Sequence, residues 1–299
     1  MEKNMEYEIA AINQQSFKDK IKSYTKHPGS FLLLLLVLVA AVLTVGVLVF
    51  LVGYILIRGI PYLKPSLFAW TYNSDNVSML PAMINTLFMT VLALLLSVPF
   101  GVGAAIYLVE YAKKGNKLVG IIRVTAETLS GIPSIIYGLF GMLFFVTALK
   151  WGYSMMAGAA TLAIMVLPVI MRTTEEALMA VPKSYREGSF GLGAGRLRTV
   201  FKVVLPSAVP GILSGIILAT GRIVGETAAL IYTAGSVAKM ATSLTDSTRT
   251  LAVHMYLLSK EGLHTDQGYA TAVVLLVLVV LINFASDKIA GKVAADKAN

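Results

Sequence analysis

Six long stretches of the sequence contain no charged residue, and they constrain the fold more than any other feature. Each is close to or longer than the ~20 residues with which an α-helix crosses the hydrocarbon core of a bilayer. The stretches are residues 31–57, 82–109, 128–149, 154–171, 203–221 and 267–286. The composition agrees, because 57% of the residues are hydrophobic and only 14% are charged. The sequence therefore predicts an all-α polytopic membrane protein with six transmembrane helices.

Lysine and arginine are distributed unevenly between the segments that join these stretches. Residues 1–30, 110–123, 172–202 and 287–299 hold 18 of the 25 basic residues, whereas the segments on the opposite side hold six. Cytoplasmic segments of membrane proteins carry such an excess of positive charge. We therefore predict that both termini are cytosolic and that the protein lies among membrane lipids.

Motifs for catalysis and for metal binding are missing from the sequence. It has no cysteine, no phosphate-binding loop of the G-x-x-x-x-G-K-[ST] type and no G-x-S-x-G elbow. Its three histidines, His27, His254 and His264, lack the spacing of metal ligands. We expect no catalytic residue, no metal site and no cofactor in this chain, and no nucleic-acid partner.

The predicted cytosolic loop at 172–202 carries the strongest motif. In it Glu187-Gly-Ser-Phe-Gly-Leu-Gly193 is followed, after nine residues, by Val203-Val-Leu205-Pro206. This matches the E-A-A-x-x-x-G-x9-I-x-L-P signature of ABC importer permeases in spacing, and in type at Glu187, Gly193, Leu205 and Pro206. A short helix around Glu187 should end in a sharp reversal at Gly193, and Pro206 should begin the next membrane helix. We favour a helix that docks on a soluble partner over a plain surface helix with a glycine cap.

Beyond this signature, the sequence resembles the phosphate ABC transporter permeases of the PstA and PstC kind, and PstA more closely. Two departures leave the spacing intact: Gly188 and Ser189 replace the usual alanines, and Ala229 stands where relatives often have proline. The stretches that carry the resemblance are Leu80-Pro-Ala-Met-Ile-Asn-Thr86, Pro99-Phe-Gly-Val-Gly-Ala-Ala-Ile-Tyr-Leu-Val-Glu-Tyr111, Gly131-Ile-Pro-Ser-Ile-Ile-Tyr-Gly138, Arg172-Thr-Thr-Glu-Glu-Ala-Leu-Met-Ala-Val-Pro182 and Gly225-Glu-Thr-Ala228.

The resemblance implies a type I ABC importer permease with a MetI-like core, located in the cytoplasmic (inner) membrane of a bacterium or archaeon, and with several partner subunits. The expected partners are a second permease chain of the PstC type, two copies of a cytosolic ATPase of the PstB type and an external phosphate-binding protein of the PstS type. ATP and Mg would be bound by the ATPase, and phosphate would cross by alternating access. The expected domains are a cytosolic tail (1–30), a first transmembrane helix (31–57), an external loop (58–80), the permease core (81–286) with a coupling loop (172–202), and a second tail (287–299).

Charged residues inside the predicted spans are candidates for the substrate pathway. Arg222 and Glu226 stand four residues apart, so that their side chains can share a helix face and pair. A guanidinium group suits phosphate, and we predict that Arg222, Glu226 and Arg172 line the pathway. A purely structural Arg222–Glu226 ion pair and an ordinary membrane anchor at Arg172 are the alternatives. Arg123 should pair with Glu127 in the same way.

Other features of the spans leave several interpretations open. Two pairs of glycines in the fifth span are spaced so that another helix can approach closely: Gly211-x-x-x-Gly215 and Gly221-x-x-x-Gly225. They predict close helix packing and would fit a seam, that is, a contact with the second permease chain. The external segment 233–266 should contain a short interfacial or re-entrant helix at 250–258. For the function, the alternatives are an importer of another oxyanion, an ion-coupled secondary carrier and an integral-membrane enzyme.

Overall fold

Helices make up the regular secondary structure of the residues that the computed structural model describes, 28–113 and 115–295, and no β-strand occurs among them. The predicted all-α fold is confirmed. The tail predicted at 1–30 lies almost entirely outside the described residues, as do the last four residues of the tail predicted at 287–299.

The α-helices of this part of the chain differ widely in length. In chain order they are α1 (Pro28–Gly59), α2 (Leu80–Ile106), α3 (Lys117–Ser130), α4 (Ser134–Gly141), α5 (Met155–Ala180), α6 (Lys183–Gly191), α7 (Arg196–Thr199), α8 (Leu205–Val224), α9 (Ala228–Ile231), α10 (Leu251–Glu261) and α11 (Thr265–Ala295). Turns of π-helix extend α2 over Tyr107–Tyr111, extend α4 over Met142–Ala148 and join α7 to α8 over Val200–Val204.

Five continuous helices among the described residues are long and apolar enough to cross a membrane. They are Gly29–Tyr62, Leu80–Tyr111, Met155–Ala180, Arg196–Val224 and Thr265–Lys288, and apart from Ser154, which caps the third of them, they contain five of the six predicted stretches. The remaining stretch, 128–149, is divided between α3 and α4, whose axes are bent by 102°. Counted as one broken span, this bent pair brings the candidate membrane spans of the described residues to six, the predicted number.

The break between α3 and α4 follows from the sequence around Pro133. Proline has no amide hydrogen to donate, and its ring disfavours the helical conformation at the preceding residue, Ile132. Pro133 itself has an extended ψ of 138°, so the chain changes direction before α4 begins. The hydroxyl of Tyr137 in α4 donates a hydrogen bond of 2.7 Å to the carbonyl of Leu129, which supplies one of the carbonyls at the end of α3 with a partner.

The chain divides into two units after Tyr54. In the first unit α1 presents long apolar side chains that are exposed, as suits a helix surrounded by lipid. The second unit, from Ile55, is built around α5, in which 67% of the apolar stretch is buried, compared with 33% for the Leu80–Tyr111 helix. Met89, Leu162 and Ile223 belong to its main apolar cluster.

Candidate functional site

The segment with the importer signature forms a helix, a tight reversal and a second helix. Glu187 lies exposed on α6, which ends two residues before Gly193. Gly193 has a φ of +83°, a left-handed conformation that glycine adopts without steric cost. The amides of Gly193 and Ala194 donate hydrogen bonds to the carbonyls of Phe190 (2.9 Å) and Ser189 (3.1 Å), as in a helix-terminating turn. The predicted reversal at Gly193 is confirmed.

Leu205 and Pro206 are the first residues of α8, as expected, but the chain is already helical before them. A continuous helix runs from Arg196 to Val224, with a π-helical turn at Val200–Val204 directly before Leu205. A proline inside a helix cannot donate the usual hydrogen bond and crowds the preceding turn, and a π-helical turn relieves that crowding. The connection between membrane helices is also shorter than expected, because α5 continues to Ala180.

Arg186 attaches α6 to two other helices, a role that the sequence analysis missed. Its Nε and Nη2 atoms lie 3.1 and 2.7 Å from Oε1 of Glu110, at the end of the Leu80–Tyr111 helix. Nη1 donates to the carbonyl of Val181 and Nη2 to that of Leu178, both at 2.8 Å, at the end of α5. The side chains of Arg186 and Glu110 are only 18% and 9% exposed. The sequence signal was the carboxylate of Glu110 directly after a charge-free stretch.

Large apolar side chains are exposed around this reversal, and we call them the coupling surface. Leu192, next to Gly193, is 91% exposed. An apolar patch of this kind on a polar segment is typical of a surface that binds another protein. The members of the coupling surface are Tyr185, Phe190, Leu192, Leu197 and Phe201.

The expected ion pair between Arg222 and Glu226 is not formed. Helix α8 ends at Val224, and the chain turns at Gly225 before Glu226. The side chain of Glu226 therefore points along the following segment, where Oε1 accepts a hydrogen bond of 3.1 Å from the amide of Ala229 at the start of α9. No carboxylate within the described residues pairs with Arg222.

Two of the sequence motifs meet beside Arg222. A Cβ atom on Gly138 of α4 would lie 2.8 Å from Cα of Ala229, so α4 and α9 approach closely. This contact joins the stretch 131–138 to the stretch that begins at Gly225. The positive charge of Arg222 lies within electrostatic reach of the buried hydroxyl of Tyr137. Arg222 also lies in the last turn of α8, where the helix dipole favours a cation.

The exposed side of α8 forms a stripe that leads to Arg222. The exposed residues recur at helical spacing, so they share one face. Arg222 is partly exposed on this face. The exposed members of the stripe are Ser207, Pro210, Ser214 and Leu218.

Arg172 and Arg123 lie at a cavity of about 490 Å3 between α3 and α5. Arg172 is shared between two carboxylates: its Nε lies 3.1 Å from Oε1 of Glu176 and its Nη1 lies 3.6 Å from Oε1 of Glu127. Arg123 forms an ion pair with Glu175 of α5, not with Glu127 as expected. The side chain of Glu175 is only 8% exposed, so a neighbouring cation is needed to compensate its charge.

The cavity is therefore lined by two guanidinium groups and three carboxylates. Arg172 and Arg123 are paired with carboxylates in this arrangement, whereas Arg222 has no carboxylate partner among the described residues. Within residues 28–113 and 115–295, no group of three or more histidine, aspartate and glutamate side chains could hold a metal ion.

The two glycine pairs of α8 have different environments. A Cβ atom on Gly211 would lie 2.6 Å from that of Ala177, and one on Gly215 would overlap Thr173, so this pair packs against α5 of the same chain. Gly221 has no atom within 4 Å of such a Cβ position. The first pair therefore does not contribute a seam with a second chain, contrary to one expectation.

Asn85 holds part of the segment after α9 in place. It is fully buried in α2, donates from Nδ2 to the carbonyls of Lys239 (2.8 Å) and Arg249 (3.3 Å), and accepts from the amide of Ala241 (3.0 Å). The helix expected at 250–258 is confirmed as α10, Leu251–Glu261, and its buried face packs near α2 and α11. The stretch 80–86 thus has a structural role.

Comparison of the sequence with known proteins identifies a matching family and several relatives. Residues 97–295 match the family described as binding-protein-dependent transport system inner membrane component. The probable ABC transporter permease protein YqgI of Bacillus subtilis is 35% identical over 265 residues, which cover 82% of this chain and 90% of YqgI. The phosphate transport system permease protein PstA 2 of Mycobacterium bovis is 35% identical over 231 residues, 76% of each chain. The predicted similarity to PstA permeases is confirmed.

Solved structures of other importers share the fold. A chain of the MetNI methionine ABC transporter in an inward-facing conformation aligns with a TM-score of 0.58 and 24% identity, covering 70% of this chain and 93% of its own. A chain of a bacterial alginate ABC transporter aligns with a TM-score of 0.66 and 15% identity, covering 91% and 98%. These similarities support the MetI-like fold class.

Proposed function

This chain belongs to the family of binding-protein-dependent transport system inner membrane components, and on that premise we propose that it imports inorganic phosphate. Members of the family are multi-pass permease subunits of ABC importers in the inner membrane. They work with a separate subunit that hydrolyses ATP and with an external binding protein. The substrate and the particular partners of this chain are the subject of the proposal.

The observation that carries the proposal is that Arg222 has no carboxylate partner within the described residues. A cation in a membrane-spanning helix is costly, and such residues usually face the protein interior or an ion pathway. Glu226 is engaged with the backbone of Ala229, so the guanidinium group keeps its donors for a ligand. A planar guanidinium group binds the oxygens of phosphate through two parallel hydrogen bonds. The similarity to PstA permeases supports phosphate among the oxyanions.

The stripe on α8 suggests where phosphate passes. We place it against the second permease chain, of the PstC type, so that the pathway runs between the two chains. Arg222 lies near the far end of the Arg196–Val224 helix, 21 residues after Phe201, the last member of the coupling surface, and 21 residues of helix span about 32 Å. If both termini are cytosolic, Arg222 is therefore near the external mouth, where the binding protein of the PstS type delivers phosphate.

Arg172 lies on the proposed pathway between Arg222 and the coupling surface, because its neighbour Thr173 packs against Gly215 and Leu218 lines the same cavity. Its ion pairs with Glu176 and Glu127 must open before it can contact an anion. Separation of α3 from α5 during the transport cycle would open the pair with Glu127. Glu226 would act by holding the turn that follows Arg222, and would not contact phosphate.

Coupling to ATP hydrolysis would take place at the coupling surface. Glu187 and the apolar side chains around Gly193 would dock into two copies of an ATPase of the PstB type, which binds ATP and Mg. Leu205 and Pro206 would continue that connection into α8. Closure of the ATPase dimer would then turn the pathway outward, as in alternating access.

Phosphate uptake by the whole complex in proteoliposomes tests the role of Arg222. Arg222→Gln should reduce uptake at least about tenfold, since hydrogen bonds to a charged group contribute about 1.5–3 kcal/mol. Arg222→Lys should recover only part of it, because an ammonium group lacks the planar pair of donors. Lys64→Gln, which removes an exposed cation elsewhere, should leave uptake unchanged.

Exchange of the two charges separates transport from structure. In the double variant Arg222→Glu with Glu226→Arg, uptake should stay low, because no ion pair is restored and the cation has moved. Normal uptake in Arg222→Gln, with an assembled complex, would contradict the proposed role. Uptake of sulfate in place of phosphate by the wild type would favour another oxyanion.

A further inference from the structure

Arg186 and Glu110 form the most fully bonded ion pair between distant helices in the described part of the chain. The two residues are 76 positions apart, and one guanidinium group donates four hydrogen bonds of 2.7–3.1 Å. Two of them end on Glu110 and two on backbone carbonyls at the end of α5. Both side chains are largely buried, so the pair is little screened by solvent.

The position of this pair joins the coupling surface to the membrane helices. Arg186 lies on α6 beside Glu187, while Glu110 ends the Leu80–Tyr111 helix. A second contact is made nearby, since the guanidinium group of Arg196 lies 5.7 Å from the ring centre of Tyr111. The Leu80–Tyr111 helix is thus attached to both sides of the reversal.

We propose that the Arg186–Glu110 pair is a positioning pair that makes α6 move together with the ends of the Leu80–Tyr111 helix and α5. The guanidinium group is planar and rigid, and its four bonds fix α6 in direction as well as in distance. A displacement of α6 by the ATPase would therefore displace the attached ends of the Leu80–Tyr111 helix and of α5 as well. This inference rests on the proposed coupling role of the Glu187 segment. It adds Arg186 and Glu110 as the residues through which a motion of α6 would be transmitted to the membrane helices.

The test compares phosphate uptake with ATP hydrolysis in the reconstituted complex. Arg186→Gln and Glu110→Gln should leave the ATPase bound and hydrolysing ATP at close to the wild-type basal rate, measured without the binding protein. The amount of phosphate taken up per ATP hydrolysed should fall about tenfold, a typical size for a lost coupling between sites. Lys117→Gln, which removes an exposed cation at the start of α3, is the matched control and should keep the wild-type ratio.

A chemical cross-link provides a result that a merely structural role would not give. The chain has no native cysteine, so Glu110→Cys with Arg186→Cys introduces a single reactive pair. When the partner subunits contain no cysteine, the double variant should take up little phosphate per ATP hydrolysed. A short bifunctional thiol reagent that joins the two cysteines should restore the wild-type amount of phosphate per ATP. Treatment of either single cysteine variant with the same reagent should not raise the amount of phosphate taken up per ATP hydrolysed.

Three outcomes would overturn the inference. They are a wild-type ratio in both glutamine variants, a completed cross-link that restores no coupling, and loss of the ATPase from the complex in both variants. A wild-type complex that takes up no phosphate would count against the proposed substrate alone. In that case stimulation of ATP hydrolysis by the binding protein replaces uptake as the readout, and the glutamine variants should lose it.

Discussion

Replacing Gly211 by alanine should destabilise the protein, and replacing Ala177 by glycine in the same chain should reverse the loss. The new Cβ atom would lie 2.6 Å from that of Ala177, whereas carbon atoms in contact are about 3.5–4.0 Å apart. Helices α5 and α8 would have to separate by roughly 1 Å, and overpacking of this kind costs about 1–3 kcal/mol. Without the Ala177 Cβ, the nearest atom is the Cα of residue 177, at 3.5 Å.

Equilibrium unfolding of the purified chain by SDS in a mild detergent measures this effect. A cost of about 1–3 kcal/mol changes the unfolding constant about 5- to 150-fold. Gly221→Ala in the same helix is the control, since its Cβ would have no neighbour within 4 Å and alanine favours the helix. The reasoning fails if Gly211→Ala is no more harmful than Gly221→Ala, or if the double variant is no more stable than Gly211→Ala alone.

Three further predictions concern other parts of the chain. Asn85→Ala should cost about 1–3 kcal/mol in the same assay, because it leaves the buried carbonyl of Arg249 and the partly buried carbonyl of Lys239 and amide of Ala241 without this partner. An unchanged unfolding curve would contradict this prediction. Burial, and to a smaller extent the positive charge of Arg249, lowers the pKa of His254 from 6.5 to about 3. The unfolded chain therefore binds the proton at a higher pH than the folded chain does, and the free energy of unfolding should fall as the pH drops from 6.5 towards 3. His254→Gln should flatten that slope, and an equal slope in both proteins would exclude His254 as its cause. Reporter proteins fused after Asn299 and after Trp151 should lie on opposite sides of the membrane, and a C-terminal reporter outside the cell would refute the topology.

The sequence by itself determined the features that depend on local composition and on the intrinsic conformations of residues. Charge-free stretches of sufficient length located five continuous membrane helices, because hydrophobicity acts residue by residue. Gly193 was correctly expected at a reversal, since only glycine adopts its left-handed conformation cheaply. The importer signature and the resemblance to PstA permeases could also be identified from residue types and spacing alone.

Tertiary structure decided which side chains meet. Helical spacing suggested pairs at four residues' separation, yet Arg123 binds Glu175 on another helix, and Glu226 lies beyond the end of α8. Spacing also says nothing of the partner of Arg186, because Glu110 is distant in sequence. A charged side chain in a membrane protein pairs with whichever opposite charge the packing of helices brings within reach, since desolvation makes an unpaired charge expensive. That packing depends on contacts between whole helices, which no local pattern specifies.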